Sequence, residues 1–96
     1  FLGTYSADSR ASLAAFTLGR VLLLELSRPR DAAAAFARAR TLDAKSPLVE
    51  DAWVREIEAW HRAGDVERAR QRIREFEAAF PDSARLPEVR SSFELR

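Results

Sequence analysis

Residues 49–81 read VEDAWVREIEAWHRAGDVERARQRIREFEAAFP and carry the clearest structural pattern in the chain. Apolar side chains recur three and four residues apart on both sides of Gly64-Asp65, which is the spacing of a helix that buries one face. Gly64 suits the left-handed residue that ends a helix, and Asp65 suits the cap that begins the next. Pro81 cannot continue a helix. The stretch therefore predicts two antiparallel helices joined by a tight turn.

The same helical period extends over most of the 96 residues, and no segment shows the alternation of a strand. The predicted fold class is all-α. Further helix starts are predicted where a serine or proline precedes an apolar run, namely at Ser9, at Ser27 with Pro29, at Ser46 with Pro47, and at Pro87. The helix after Ser9, over residues 10–26, is apolar almost all round.

The composition excludes several classes of partner. Sixteen basic residues against fifteen acidic ones leave a net charge of +1, which is not the footprint of a nucleic-acid-binding protein or a polybasic anchor. The absence of cysteine excludes disulfides and thiolate metal sites. The most apolar run, residues 21–24, is too short for a signal peptide or a membrane span. We expect no nucleic-acid partner and no membrane insertion by this part of the chain.

No pattern predicts catalysis. Glu58 and His61 match the Glu-x-x-His element of di-iron bundles, but such sites need two of these elements, and the chain has one histidine. His61 also lacks a sequence partner that would orient it as a base. The arginines at 68, 70, 72 and 74 alternate between flanks of a helix and are interleaved with glutamates, which is typical of a solvated face. We therefore predict no enzyme, no cofactor and no metal.

An internal repeat gives the chain a family resemblance. Residues Trp53, Trp60, Gly64, Ala69, Ile73, Phe76 and Pro81 follow one another at intervals of seven, four, five, four, three and five. This series is similar to the tetratricopeptide consensus. Glu56 departs from it, since it stands where the family has a leucine. Both tryptophans are expected in the core, with Trp60 the more exposed of the two.

The first half repeats the later part of the pattern, because Ala32, Phe36, Ala39 and Ala44 keep the intervals of four, three and five. The resemblance implies a fragment of a right-handed solenoid built from antiparallel helix-turn-helix repeats. Residues 10–45 would form one repeat and 46–82 the second, followed by a capping helix over 83–96. The pattern of Phe1 and Tyr5 resembles that of Phe76 and Phe80, so residues 1–9 are expected to end a preceding repeat of a longer protein.

Phe80-Pro81-Asp82-Ser83 closing a repeat also resembles the bacterial envelope branch of this family. That branch includes outer-membrane assembly lipoproteins and cell-division coordinators. The resemblance implies a bacterial protein of the cell envelope or periplasm, with the cytoplasm as an open alternative.

The resemblance further implies a binding surface, because the first helix of each pair lines the inner face of such arrays. Carried over onto this chain, that face consists of Leu13, Phe16, Arg20 and Leu24 in the first repeat, and Asp51, Val54, Glu58, His61 and Arg62 in the second. Plain core packing would equally account for Leu13, Phe16 and Leu24. The predicted function is a protein–protein interaction module, a scaffold that holds a peptide or protein segment on this face.

An alternative function follows from the first helix. Leu13, Val21 and Leu24 share a flank with Arg10, Thr17 and Arg20, and one neighbouring helix cannot cover every apolar side. Something else is expected to pack there, either an upstream repeat, a bound segment or a second copy of the chain. The alternative prediction is therefore a self-associating structural domain of a larger envelope or regulatory protein.

Overall fold

A computed structural model describes residues 7–45 and 47–91 of the chain. Its helices are α1 (Ala7–Leu24), α2 (Pro29–Leu42), α3 (Val49–Arg62), α4 (Val66–Ala79) and the short α5 (Leu86–Val89). Within these two ranges every regular element is helical and there is no strand, which confirms the predicted fold class. The expectations for Phe1, Tyr5 and Ser46, and for residues 92–96 of the predicted capping helix, fall outside the described residues.

Consecutive helices form the main contacts, α1 with α2, α2 with α3, and α3 with α4. The thinnest dimension of the molecule is 16 Å and the longest is 48 Å. Because packed helices lie about 8–10 Å apart, the thin dimension corresponds to two helix layers. The helix at the start of this stack, α1, makes its main helical contact with α2.

The turn between α3 and α4 forms as predicted. Gly64 has a φ angle of 83°, the left-handed conformation that glycine adopts without a side-chain clash. Asp65 caps α4, since its Oδ1 accepts a hydrogen bond from the Arg68 amide at 3.1 Å. The helix ends at Ala79, shortly before Pro81.

Three predicted helix boundaries are wrong. Ser9 does not cap α1, because Ala7 is already helical and the Ser9 hydroxyl donates to Asp43 Oδ2 at 2.7 Å. The helix ends at Leu24, two residues early, and Ser27 turns the chain with a φ angle of 52°. Pro47 lies in the turn before α3, which begins at Val49. In each case a tertiary contact or turn replaces the local cap that the sequence offered.

The first core cluster joins all four long helices, α1 to α4, and is built largely from alanine around Phe16, Phe36 and Trp60. The rings of Phe16 and Phe36 meet edge to face with centroids 5.4 Å apart. Gly19 lies against the same Phe36 ring, and a Cβ atom placed there would stand 2.8 Å from a ring carbon. Small residues thus bring α1 and α2 close enough to enclose the ring.

The second core cluster joins α3, α4 and α5. It contains Ile57, Ile73 and Phe76, all fully buried, together with Leu86 and Val89 from the C-terminal segment. Leu86 and Val89 therefore cover the far side of α3 and α4.

The prediction that Trp60 is the more exposed of the two tryptophans is wrong. Trp60 is 8% exposed and belongs to the first cluster, whereas Trp53 is only partly buried, at the edge of the second. The indole of Trp60 donates its Nε1 hydrogen to Glu56 Oε2 at 3.0 Å, so the buried ring keeps a polar partner. Trp53 instead supports the guanidinium of Arg40, which lies 3.7 Å from its ring centroid.

Candidate protein-interaction surface

The buried face of α1 fixes the helix against α2. It consists of Ser12, Ala15, Phe16, Gly19 and Leu23. The Ser12 hydroxyl donates to the carbonyl oxygen of Ala39 at 2.7 Å, so the one polar side chain on this face is satisfied. These contacts determine which residues of α1 point away from the protein.

The opposite side of α1 carries a surface that we call the outer stripe, composed of Arg10, Leu13, Thr17, Arg20, Val21 and Leu24. All of these residues are exposed except Val21, which is half-buried. Leu13 is 49% and Leu24 54% exposed. Leu13, Thr17, Arg20 and Leu24 follow at intervals of four, three and four, the spacing with which one helix presents a seam to another. The stripe therefore has the geometry of a helix-binding surface.

The predicted site residue Phe16 does not belong to this surface. Its side chain is 6% exposed and packs on Phe36, so it contributes to the core and offers no area to a partner. Phe16 lies one turn from both Leu13 and Arg20 in sequence, yet α2 covers it and leaves them open.

The predicted residues at the start of α3 are covered by the C-terminal segment. Asp51 Oδ1 lies 2.8 Å from Arg85 Nη1, and the neighbouring Glu50 accepts a hydrogen bond from the Ser83 hydroxyl at 2.7 Å. Val54 is 8% exposed because it packs in the cluster that contains Leu86. This end of the predicted face is therefore occupied by the chain itself.

The predicted residues at the end of α3 form a mixed-charge surface. Glu58 lies between two arginines, 3.4 Å from Arg55 Nη1 and 2.9 Å from Arg62 Nη2. Arg62 is exposed and His61 is half-buried. Within residues 7–45 and 47–91, no group of three histidine, aspartate or glutamate side chains is placed to hold a metal ion. Nor does any helix of this part have the length and apolar character needed to cross a membrane.

The strongest polar cluster of the protein was not predicted from the sequence. Glu56 is 1% exposed, and its carboxylate joins three helices. Oε1 accepts from Arg40 Nε on α2 at 2.8 Å, while Oε2 accepts from Arg72 Nε on α4 at 2.9 Å and from Trp60 Nε1 on α3. The only sequence signal was a glutamate in an apolar position four residues before a tryptophan.

Glu56 also sets the electrostatics of its neighbours. Burial lowers the pKa of Arg72, but its hydrogen bonds and charge interactions with Glu56 and Glu75 outweigh that effect and raise its pKa above the ordinary value. A carboxylate so enclosed has no free path to a substrate proton. The cluster therefore holds α2, α3 and α4 together.

Comparisons with known proteins add no relative, because no protein-family model, no curated protein and no solved structure matches the chain.

Proposed function

We propose that this chain is a tetratricopeptide-like protein–protein interaction module that binds a protein segment on the outer stripe of α1. The proposal rests on the location of the apolar side chains that no helix covers. Among the described residues, the exposed large hydrophobic side chains are Leu13, Leu18, Leu24 and Leu26, all on α1 or in the turn that follows it. The other end of the stack is closed by α5.

Covering that surface would stabilise a complex. At about 25 cal/mol per Å², burying the exposed part of a leucine side chain contributes roughly 1–2 kcal/mol. The stems of Arg10 and Arg20 add apolar area to that of the two leucines on the same helix face. Exposed apolar patches with polar rims are typical of interaction sites in folded proteins.

The repeat resemblance supports the same location. In a tetratricopeptide array the first helix of each pair lines the binding face, and the resemblance assigns that position to α1 and α3. Since α5 and its flanking residues cover Asp51 and Val54, the proposed contact is the outer stripe. Glu58, His61 and Arg62 form a separate mixed-charge surface on α3. The same resemblance supports a role in a bacterial envelope or regulatory protein.

A peptide-display selection on the immobilised chain tests this function. Selected peptides should bind the wild type and lose at least tenfold in affinity for Leu13→Glu/Leu24→Glu. The matched control is Leu18→Glu/Leu26→Glu, which places the same charges at equally exposed leucines away from the stripe. Peptides that bind both double variants equally well would contradict the proposal.

The alternative function, a self-associating structural domain, is supported by one specific observation. The charged residues at the two ends of the outer stripe are of opposite sign, with Arg10 near its start and Glu25 directly after Leu24. When two copies pair with their α1 helices antiparallel, the positive end of each stripe meets the negative end of the other.

A further inference from the structure

We infer that the partner on the outer stripe is a second copy of this chain, with the two α1 helices antiparallel and crossing at Thr17. This inference rests on the proposed function, since it names the occupant of the same surface. Identical surfaces that meet across a two-fold axis must be complementary to themselves. The outer stripe meets that condition in shape, in apolar content and in charge.

Thr17 lies at the middle of the stripe. Arg10 and Leu24 are each seven residues away from it, and Leu13 and Val21 are each four away. In an antiparallel pair centred on Thr17, residues whose numbers are equally distant from 17 face each other. The resulting pairs are Arg10 with Leu24 and Leu13 with Val21. Each leucine then meets an apolar side chain or an arginine stem across the pair.

The charges favour this orientation. Glu25 follows Leu24, so in the antiparallel pair it lies beside Arg10 of the other copy, and symmetry forms this ion pair twice. Both side chains are exposed, and neither forms an ion pair with any side chain that the structure describes. A parallel pair would instead place Arg10 against Arg10 and Arg20 against Arg20, which repel.

Cysteine cross-linking tests the orientation, and the chain has no cysteine of its own to interfere. On mild oxidation, Thr17→Cys should form a disulfide-linked dimer, because residue 17 faces itself. Arg10→Cys alone and Leu24→Cys alone should stay largely unlinked, whereas a mixture of the two should give the mixed dimer, identified by its mass. Self-linking of Arg10→Cys and Leu24→Cys would show a parallel pair and overturn the inference.

Sedimentation tests the charge contacts. Arg10→Glu and Glu25→Arg should each weaken the dimer about tenfold, since each reverses two exposed ion pairs, and the double exchange should restore it. Arg38→Glu, on α2, should have little effect. A monomeric wild type at high concentration, or a double exchange that weakens the dimer further, would overturn the inference. If the chain does not self-associate but still binds selected peptides, the dimer inference is wrong and the proposed function stands. If the chain dimerises through α1 but binds no peptide, peptide binding is the part of the proposal that fails.

Discussion

Two glycines show how much a single residue depends on its surroundings. Gly64 is needed for its backbone angle, because its φ of 83° strains any L side chain even though an added Cβ meets nothing within 4 Å. Gly19 lies in an ordinary helix and is needed for space, because the Phe36 ring occupies the position of a Cβ atom. The same residue type thus has two physical roles in one small protein.

Replacing Gly19 with alanine should lower the free energy of unfolding by about 1–2 kcal/mol. Alanine gains about 1 kcal/mol of helix propensity, but the clash with Phe36 costs more. Urea unfolding measures the change. In a Phe36→Leu background, which itself loses core packing, Gly19→Ala should cost less than in the wild type, whereas the cost of Gly64→Ala, which comes from backbone strain, should stay the same. If Phe36→Leu changed the free-energy cost of both glycine variants by the same amount, the packing explanation would be contradicted.

Glu56 is the residue on which the polar core depends. Glu56→Leu leaves Arg40 and Arg72 without their shared carboxylate and the Trp60 indole without an acceptor. Breaking one partner of a buried ion pair costs about 3–5 kcal/mol, and we expect a loss of that size in chemical denaturation. Glu58→Leu is the matched control, since Glu58 pairs with two arginines on the same helix but nearer solvent. It should cost about 1 kcal/mol or less. Similar losses for both variants would contradict the role assigned to Glu56.

Some helix ends are determined by their local sequence and others by tertiary contacts. The α3–α4 turn forms from its own Gly64 and Asp65, as the sequence predicts. The start of α1 and the loop before α3 do not follow their apparent caps. Ser9 is drawn into a contact with Asp43, 34 positions away in the chain. A local cap is worth only about 1 kcal/mol, so a tertiary contact can displace it.

Asp65→Ala should destabilise the protein by about 1 kcal/mol through loss of the α4 cap. Asp65→Asn keeps a side-chain acceptor for the Arg68 amide and should stay within about 0.5 kcal/mol of the wild type. It removes only the loose ion pairs with Arg30 at 3.7 Å and Arg68 at 3.8 Å. Thermal unfolding at matched salt measures both. If Asp65→Asn were as unstable as Asp65→Ala, the loss would come from the removed charge and not from the removed cap.

For the whole molecule, stacking in chain order makes the interior helices the most stable part. α2 and α3 each make main contacts with two helices, whereas α1 makes its main contact with α2 and α4 is completed by the short α5. In stacked arrays each unit depends on its neighbours, so opening is expected to begin at the ends.

Native-state hydrogen exchange should therefore find the slowest amides in α2 and α3. In dilute solution α1 should exchange first, by local opening. Raising the protein concentration should slow exchange in α1 more than in α4, since pairing of two copies protects α1 alone. Protection in α1 that already equals that of α2 in dilute solution would contradict the expected order.

The sequence by itself determined the all-α class, the α3–α4 turn, the order of the helices and the apolar flank of α1. These features depend on local spacing, on a glycine that can adopt a positive φ and on a carboxylate that caps the next helix, and each acts within about one turn of the chain. Leu13 and Leu24 could be identified as surface candidates for the same reason.

Only the tertiary structure decided which candidates stay on the surface. Phe16 and Val54 share the predicted face with Leu13 and Leu24, but α2 and the segment around α5 bury them. The buried role of Glu56 likewise requires Arg40 and Arg72 to arrive from helices 16 residues away on either side. Burial and charge pairing depend on which helix faces come together, and the spacing within one helix contains no information about its neighbour.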